Sequence, residues 1–221
     1  MKKIIYFIEF ILIKILFFIF KLIGYKFSSN LGFLIGIIFG PLFKSKKQII
    51  KNLEKANIQK KQNIKKIASN VLGNYGRIFA EYVHLEDFRN DKLKKYISIE
   101  GLEHLNHLKK SQKKAIFISG HFNNFELMAM QIEKVGIELA AIYRPLNNVF
   151  LNKTMENIRT ENICKNQIKK GRAGSREIIK NVKNGKSIAI MIDQRVREGE
   201  KVNLFNHLAT TTTIPAQLIK K

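Results

Sequence analysis

Residues Lys114 to Gly136 read KAIFISGHFNNFELMAMQIEKVG, and the fold turns on how that stretch divides. KAIFISG, Lys114 to Gly120, is a short apolar segment ended by glycine, the pattern of a strand. FELMAMQIEKVG, from Phe125, is long enough for a helix and closes on a glycine. The same rhythm repeats on either side. YISIE (Tyr96–Glu100), ELAAIY (Glu138–Tyr143) and SIAIMID (Ser187–Asp193) read as further strands. GLEHLNHLKKS, NVFLNKTMENIR and SREIIKNVKNG read as the helices between them. Strand and helix alternating in this way predict an α/β fold, with a largely parallel sheet flanked by helices.

Such sheets keep their chemistry at the carboxyl ends of their strands. There the chain carries GHFNNFE, with His121 just past the strand and Glu126 in the first turn of the next helix. Two readings stand side by side. Asn123-x-x-Glu126 resembles a capping box with asparagine in the Ser/Thr role, which would make Glu126 a cap and His121 a loop residue. Alternatively, His121 is a catalytic base and Glu126 the carboxylate that orients it.

The arginines favour the second reading. Lysine outnumbers arginine 32 to 8, yet Arg144, Arg172, Arg176 and Arg195 all fall at expected strand ends or helix starts. Arginine where lysine is the default points to its planar fork, suited to phosphate or carboxylate. YRP (Tyr143–Pro145) places Arg144 just past a strand, and DQR places Asp193, Gln194 and Arg195 past another. GRAGSRE, Gly171 to Glu177, gives two arginines and two glycines where a helix begins, a site suited to anions. Asn123 and Asn124 are further candidates for substrate contact through side chain or backbone, or for the helix cap.

Outside this region the chain is apolar and then basic. In MKKIIYFIEFILIKILFFIFKLIG, Ile4 to Gly24 is nearly all Ile, Leu and Phe, interrupted by Glu9, Lys14 and Lys21. No small-residue cleavage site follows, so residues 1–44 are expected to be membrane-anchoring helices, spanning the bilayer or tilted into its interface. Residues 45–92 form a lysine-dense, helical segment, with an apolar stripe over 64–83. Residues 93–221 form the α/β domain. The lysines after the apolar region favour a cytoplasmic location for everything downstream. The formal charge of +23 fits anionic lipid or an acidic protein. Nucleic acid is not expected, because no aromatic-interleaved basic motif accompanies the charge. The single cysteine, Cys164, excludes internal disulfides and reads as structural. No Walker loop, Gly-x-Gly-x-x-Gly or metal-ligand cluster is present, so neither cofactor nor metal is expected.

The ordered series GHFNNFE, YRPLNN, GRAGSREIIKNVKNGKSIAIMIDQ and LFNHLATTTTIPA, preceded by KNLEKA and NYGRIFAEY, resembles the bacterial lipid A late acyltransferases. These belong to the lysophospholipid acyltransferase group, marked by His-x4-Asp/Glu. The resemblance covers nearly the whole chain. It implies a glycerol-phosphate-acyltransferase-like fold on the bacterial inner membrane, with its catalytic domain on the cytoplasmic side. It also implies transfer of a fatty acyl chain from acyl carrier protein, or acyl-CoA, to a hydroxyl of a membrane glycolipid. His121 would be the base and Glu126 its orienting acid. Arg144 would bind an oxyanion or phosphate. Asn123, Asn124, Arg172, Asp193 and Gln194 are further candidates for substrate, oxyanion or phosphate binding, and Asp193 would orient a loop arginine. A lysophospholipid acceptor and a non-enzymatic membrane protein are the alternatives. Asn206 and His207 stand where the family commonly shows a Phe-Phe-Gly run. The chain stops at Lys221 within an apparent helix start, IPAQLIKK, so the C-terminal part of the fold is expected to be missing. Acyl length, acceptor position and oligomeric state have no signature in the sequence.

Overall fold

A computed structural model describes residues 2–56, 63–194, 196 and 198–220, with Arg172 described by its backbone alone. In chain order these form α1 (Lys2–Phe43), α2 (Lys46–Lys55), α3 (Ile64–Glu81), α4 (Leu85–Arg89), α5 (Leu102–Ser111) and β1 (Ile116–Ser119). Then come α6 (Glu126–Lys134), β2 (Leu139–Tyr143), α7 (Val149–Asn162), β3 (Asn166–Lys169), α8 (Arg172–Lys183) and β4 (Ser187–Met191). A hairpin of β5 (Glu200–Leu204) and β6 (His207–Thr211) precedes α9 (Ile214–Ile219). The chain divides into two compact units.

One unit comprises residues 1–13, 85–196 and 212–221 and holds the sheet. Its strands lie in the order β1-β4-β2-β3, all parallel. The crossovers β1–α6–β2 and β2–α7–β3 advance in one direction across the sheet, and β3–α8–β4 returns. With right-handed connections, α6 and α7 therefore cover one face and α8 the other. On the α8 face, Ala140, Ile168, Ile178 and Ile188 form a buried cluster, joined by Ile142, Val182, Ile214 and Leu218. The start of α1 also belongs to this unit. Asn148 caps α7 by accepting from the amides of Phe150 and Leu151. Its amide nitrogen donates to Tyr6 O at 2.8 Å and to Glu9 Oε2 at 3.0 Å. Glu9, the one acid in an apolar run, thus has a buried partner.

Two sequence expectations fail here for definable reasons. YISIE is not a strand: a 3-10 turn over Lys94–Tyr96 leads into irregular backbone. β1 is therefore an edge strand whose one sheet neighbour is β4, and YISIE does not extend the sheet beyond it. The opposite edge, β3, went unpredicted because NQIK offers only Ile168 as an apolar signal. Polar residues are usual on an edge.

The other unit comprises residues 14–84 and 197–211. Within it α1 packs on α3 through glycines. A Cβ on Gly76 would lie 2.1 Å from Gly32 O, and one on Gly36 would lie 2.5 Å from Leu72 O. Only glycine permits so close an approach. Beside this seam Ser29 Oγ donates to Glu81 at 2.7 Å, and Ser28 Oγ lies 2.9 Å from His84 Nε2. All four side chains are buried. Phe17 packs on Phe79 with ring centroids 4.9 Å apart. NYGRIFAEY is therefore a packing motif, supplying Gly76, Phe79, Ala80 and Glu81.

The expectation of a bilayer-spanning helix is corrected. No helix among the described residues is long and apolar enough to cross a membrane. Glu9, Lys14, Lys21 and Lys26 recur along α1, and Gly24 interrupts it with φ 76 and ψ 165.

Candidate active site

The register of β1 against β4 sets the site. Ser119 lies opposite Met191, so the residues two beyond each strand end, His121 and Asp193, emerge side by side. Asp193 holds His121 at two points. The His121 backbone N–H donates to Oδ2 at 2.8 Å, and Nδ1 lies 2.8 Å from Oδ1. A carboxylate only accepts, so Nδ1 carries the proton, and in the neutral ring Nε2 is the atom with the lone pair. Nε2 lies 3.3 Å from the side-chain amide nitrogen of Gln194. Phe125 braces the ring edge-on at 4.7 Å between centroids. Gly120 makes room for this arrangement: a Cβ there would meet the Phe122 ring at 2.9 Å and the Asp193 carboxyl carbon at 3.3 Å. Burial raises the Asp193 pKa, but the hydrogen bonds from the His121 amide and ring outweigh it and hold the carboxyl below the usual range.

Glu126 occupies a different position from the one its spacing suggested. It opens α6, is buried, and turns toward α7, where Arg159 meets it. Nε and Nη2 of Arg159 lie 3.0 and 2.9 Å from Glu126 Oε1. The carboxylate on His121 is therefore that of Asp193, and the predicted His121–Glu126 pairing is corrected. Arg159 was missed in the sequence because it lies mid-helix, away from any strand end. Its guanidinium sits 5.7 Å from the centre of the Tyr143 ring. The Tyr143 hydroxyl in turn donates to Glu156, which also holds Asn152 and Lys169. Burial, then the bond to Glu156, raises the Tyr143 pKa far above its ordinary value and keeps the hydroxyl neutral.

The capping-box reading is also corrected. Asn123 is held at φ 44, Phe125 occupies the cap position of α6, and no side chain caps it. Main-chain bonds from Phe125 N to Asn123 O and from Leu127 N to Asn124 O form the turn instead, at 3.0 and 3.2 Å.

These groups surround a cavity of about 340 Å³ at the carboxyl edge of the sheet. His121, Glu126, Arg144, Arg159 and Gln194 line it, together with Lys169, Lys170 and the glycines at the start of α8. Apolar walls come from Met128, Ala129, Ala141, Ile178, Ala189 and Ile214. Neither Asn123 nor Asn124 lines it. The side chains of Arg172 and Arg195 lie outside the described residues, and Arg176 is exposed on α8. Cys164 is buried and un-ionised, its thiol pushed by burial to about 11. Among the described residues no group of His, Cys, Asp and Glu could hold a metal ion.

A parallel sheet whose carboxyl edge presents a carboxylate-held histidine over a part-apolar cavity defines an α/β protein with an enzyme-like site. Comparison with known families places it further. The model of the bacterial lipid A biosynthesis acyltransferase family matches residues 1–221, and the chain belongs to that family. It is accordingly an acyltransferase, as the ordered motifs implied. No curated protein matches the chain.

Proposed function

We propose that this enzyme moves a fatty acyl group from the thioester of acyl carrier protein to a hydroxyl of a lipid A precursor, with His121 as general base. The observation that carries this reading is the His121–Asp193 pair. Asp193 fixes the proton on Nδ1, leaving Nε2 as the basic atom at the cavity. The acceptor hydroxyl gives its proton to Nε2 as its oxygen attacks the thioester carbon. Collapse of the tetrahedral adduct breaks the C–S bond, and the imidazolium returns the proton to the departing thiolate. Asp193 stabilises the transient imidazolium, the part an acid plays beside a catalytic histidine. Arg144 and the Gln194 amide line the cavity and supply donors for the developing oxyanion or for a substrate phosphate. Glu126, paired with Arg159, fixes the start of α6 and keeps a guanidinium at the cavity wall. The apolar walls suit an acyl chain. A basic chain on the cytoplasmic face of the inner membrane meets both an acidic donor protein and anionic lipid.

Incubating the full-length protein with labelled acyl carrier protein and a lipid A precursor tests this. The expected product is the precursor heavier by one acyl group. Label appearing only in an added lysophospholipid overturns the acceptor assignment, and turnover with acyl-CoA alone overturns the donor.

A further inference from the structure

The amino edge of the sheet, at the far end of the strands from His121, holds a second cavity of about 380 Å³. Small-molecule sites span about 300–1,000 Å³, so this one is large enough for a ligand. Strand register assembles its rim. Leu139 lies opposite Ser187 and Ala140 opposite Asn166. The residues just before β4, β2 and β3, which are Lys186, Glu138 and Lys165, therefore stand side by side. The last turn of α6 adds Glu133, and α4 adds Arg89.

The charges around this cavity do not balance. Glu133 is already engaged: Oε2 lies 2.6 Å from Arg89 Nη1, and Oε1 accepts from the Lys165 backbone N–H at 3.1 Å. Lys186 Nζ donates to Asn166 Oδ1 at 2.6 Å, a neutral amide that holds the ammonium without cancelling its charge. Lys109 reaches the rim from α5. A Cβ on Gly136, which has φ 96, would lie 3.0 Å from Lys109 Nζ, so glycine leaves room for that ammonium. Among the described residues no carboxylate pairs with Lys109, Lys165 or Lys186. Those three cations stand against one free acid, Glu138, which leaves a surplus of two positive charges. The apolar lining residues Ile137 and Leu139 are buried, so the rim offers no exposed apolar surface to an acyl chain.

We propose that this cavity is a second ligand site, which binds a small, soluble phosphate monoester carrying hydroxyl groups. A phosphate monoester near neutral pH carries close to two negative charges and matches the surplus. Its oxygens accept charge-assisted hydrogen bonds from Lys186, Lys109 and Lys165. Glu138 accepts from a ligand hydroxyl, which favours a hydroxyl-bearing phosphate over inorganic phosphate. His121, Asp193 and the groups around them take no part, so occupancy here does not depend on acyl transfer.

Isothermal titration of the full-length protein with glucose 6-phosphate tests the proposal without requiring turnover. Glucose, inorganic phosphate, sulfate and a short-chain phosphatidic acid serve as comparison ligands. Saturable binding of glucose 6-phosphate is expected at about 1 mM or tighter, with weaker binding of inorganic phosphate and none of glucose. Lys186→Gln should weaken it roughly tenfold, the loss of one charge-assisted hydrogen bond. A Lys109→Gln, Lys165→Gln variant should weaken it roughly a hundredfold, at tenfold per ammonium. Both of these lysines are exposed and unpaired, so circular dichroism should be unchanged in that variant. Arg144→Gln, at the other edge of the sheet, should leave the affinity as it is. Unaltered binding in the double variant overturns the proposal, and so does binding lost in Arg144→Gln, which puts the phosphate in the catalytic cavity. Equal affinity for sulfate and both phosphates means an adventitious ion only and overturns it too. Tighter binding of the phosphatidic acid overturns the choice of a soluble ligand.

Discussion

His121→Ala is expected to lower kcat for acyl transfer by roughly 10²–10⁴-fold, the usual contribution of a positioned general base. KM for the acyl donor should change little, because in the proposed mechanism Nε2 acts on the acceptor proton as the bond forms rather than on the bound thioester. The expectation rests on the ring's placement. One nitrogen is committed to Asp193 at 2.8 Å, and the other lies at the cavity near Gln194. Alanine also removes the edge-on contact with Phe125, but the ring is partly exposed, so loss of packing stays small beside loss of the base. Steady-state rates with labelled donor and thermal unfolding of the same preparation separate the two. An unchanged melting temperature with lost turnover is the expected pair.

Glu126→Ala should act mainly on stability. The Glu126 and Arg159 side chains are only 9 and 16 % accessible, so neither has water to replace its partner. Removing one member of a buried ion pair leaves the other charge desolvated, at a cost of about 3 kcal/mol or more. Urea unfolding should show the midpoint shifting down with little change in slope. Adding Arg159→Met to Glu126→Ala should recover much of the loss, because the orphaned charge goes with it. A double variant no better than the single would mean that the pair is not what stabilises this corner of the sheet.

Different parts of the molecule were legible in the sequence for different reasons. β1, β2 and β4 stood out as short apolar runs, and α6, α7 and α8 as the segments between them. Their order alone placed His121, Arg144, Asp193 and Gln194 at one edge. The strand order β1-β4-β2-β3 had no local signature, and it decides which acid meets His121. A short spacing such as His-x4-Glu draws attention to a near neighbour. Pairing of β1 with β4 instead brings Asp193 to the ring across 72 residues. Arg159 was hidden similarly, because α7 reaches α6 only through the fold. The hairpin was missed because its turn residues, Phe205 and Asn206, take φ 51 and 61 without the glycine that usually marks such a turn. The glycine seam between α1 and α3 was equally hidden: glycines in an apolar helix suggest flexibility until a partner backbone is seen against them.

The central claim is that His121 is the base and Asp193 the group that holds it. Comparing kcat of Asp193→Asn and Glu126→Gln, with folding of each confirmed, tests it most directly. An amide at position 193 loses the carboxylate that fixes the Nδ1 proton and balances the imidazolium. The account predicts a fall in kcat of roughly 10²–10⁴-fold for Asp193→Asn, with KM nearly unchanged. For Glu126→Gln it predicts lower stability and a kcat within about tenfold of the parent. Full turnover in Asp193→Asn, with turnover abolished in a stably folded Glu126→Gln, would contradict it and return the orienting role to Glu126.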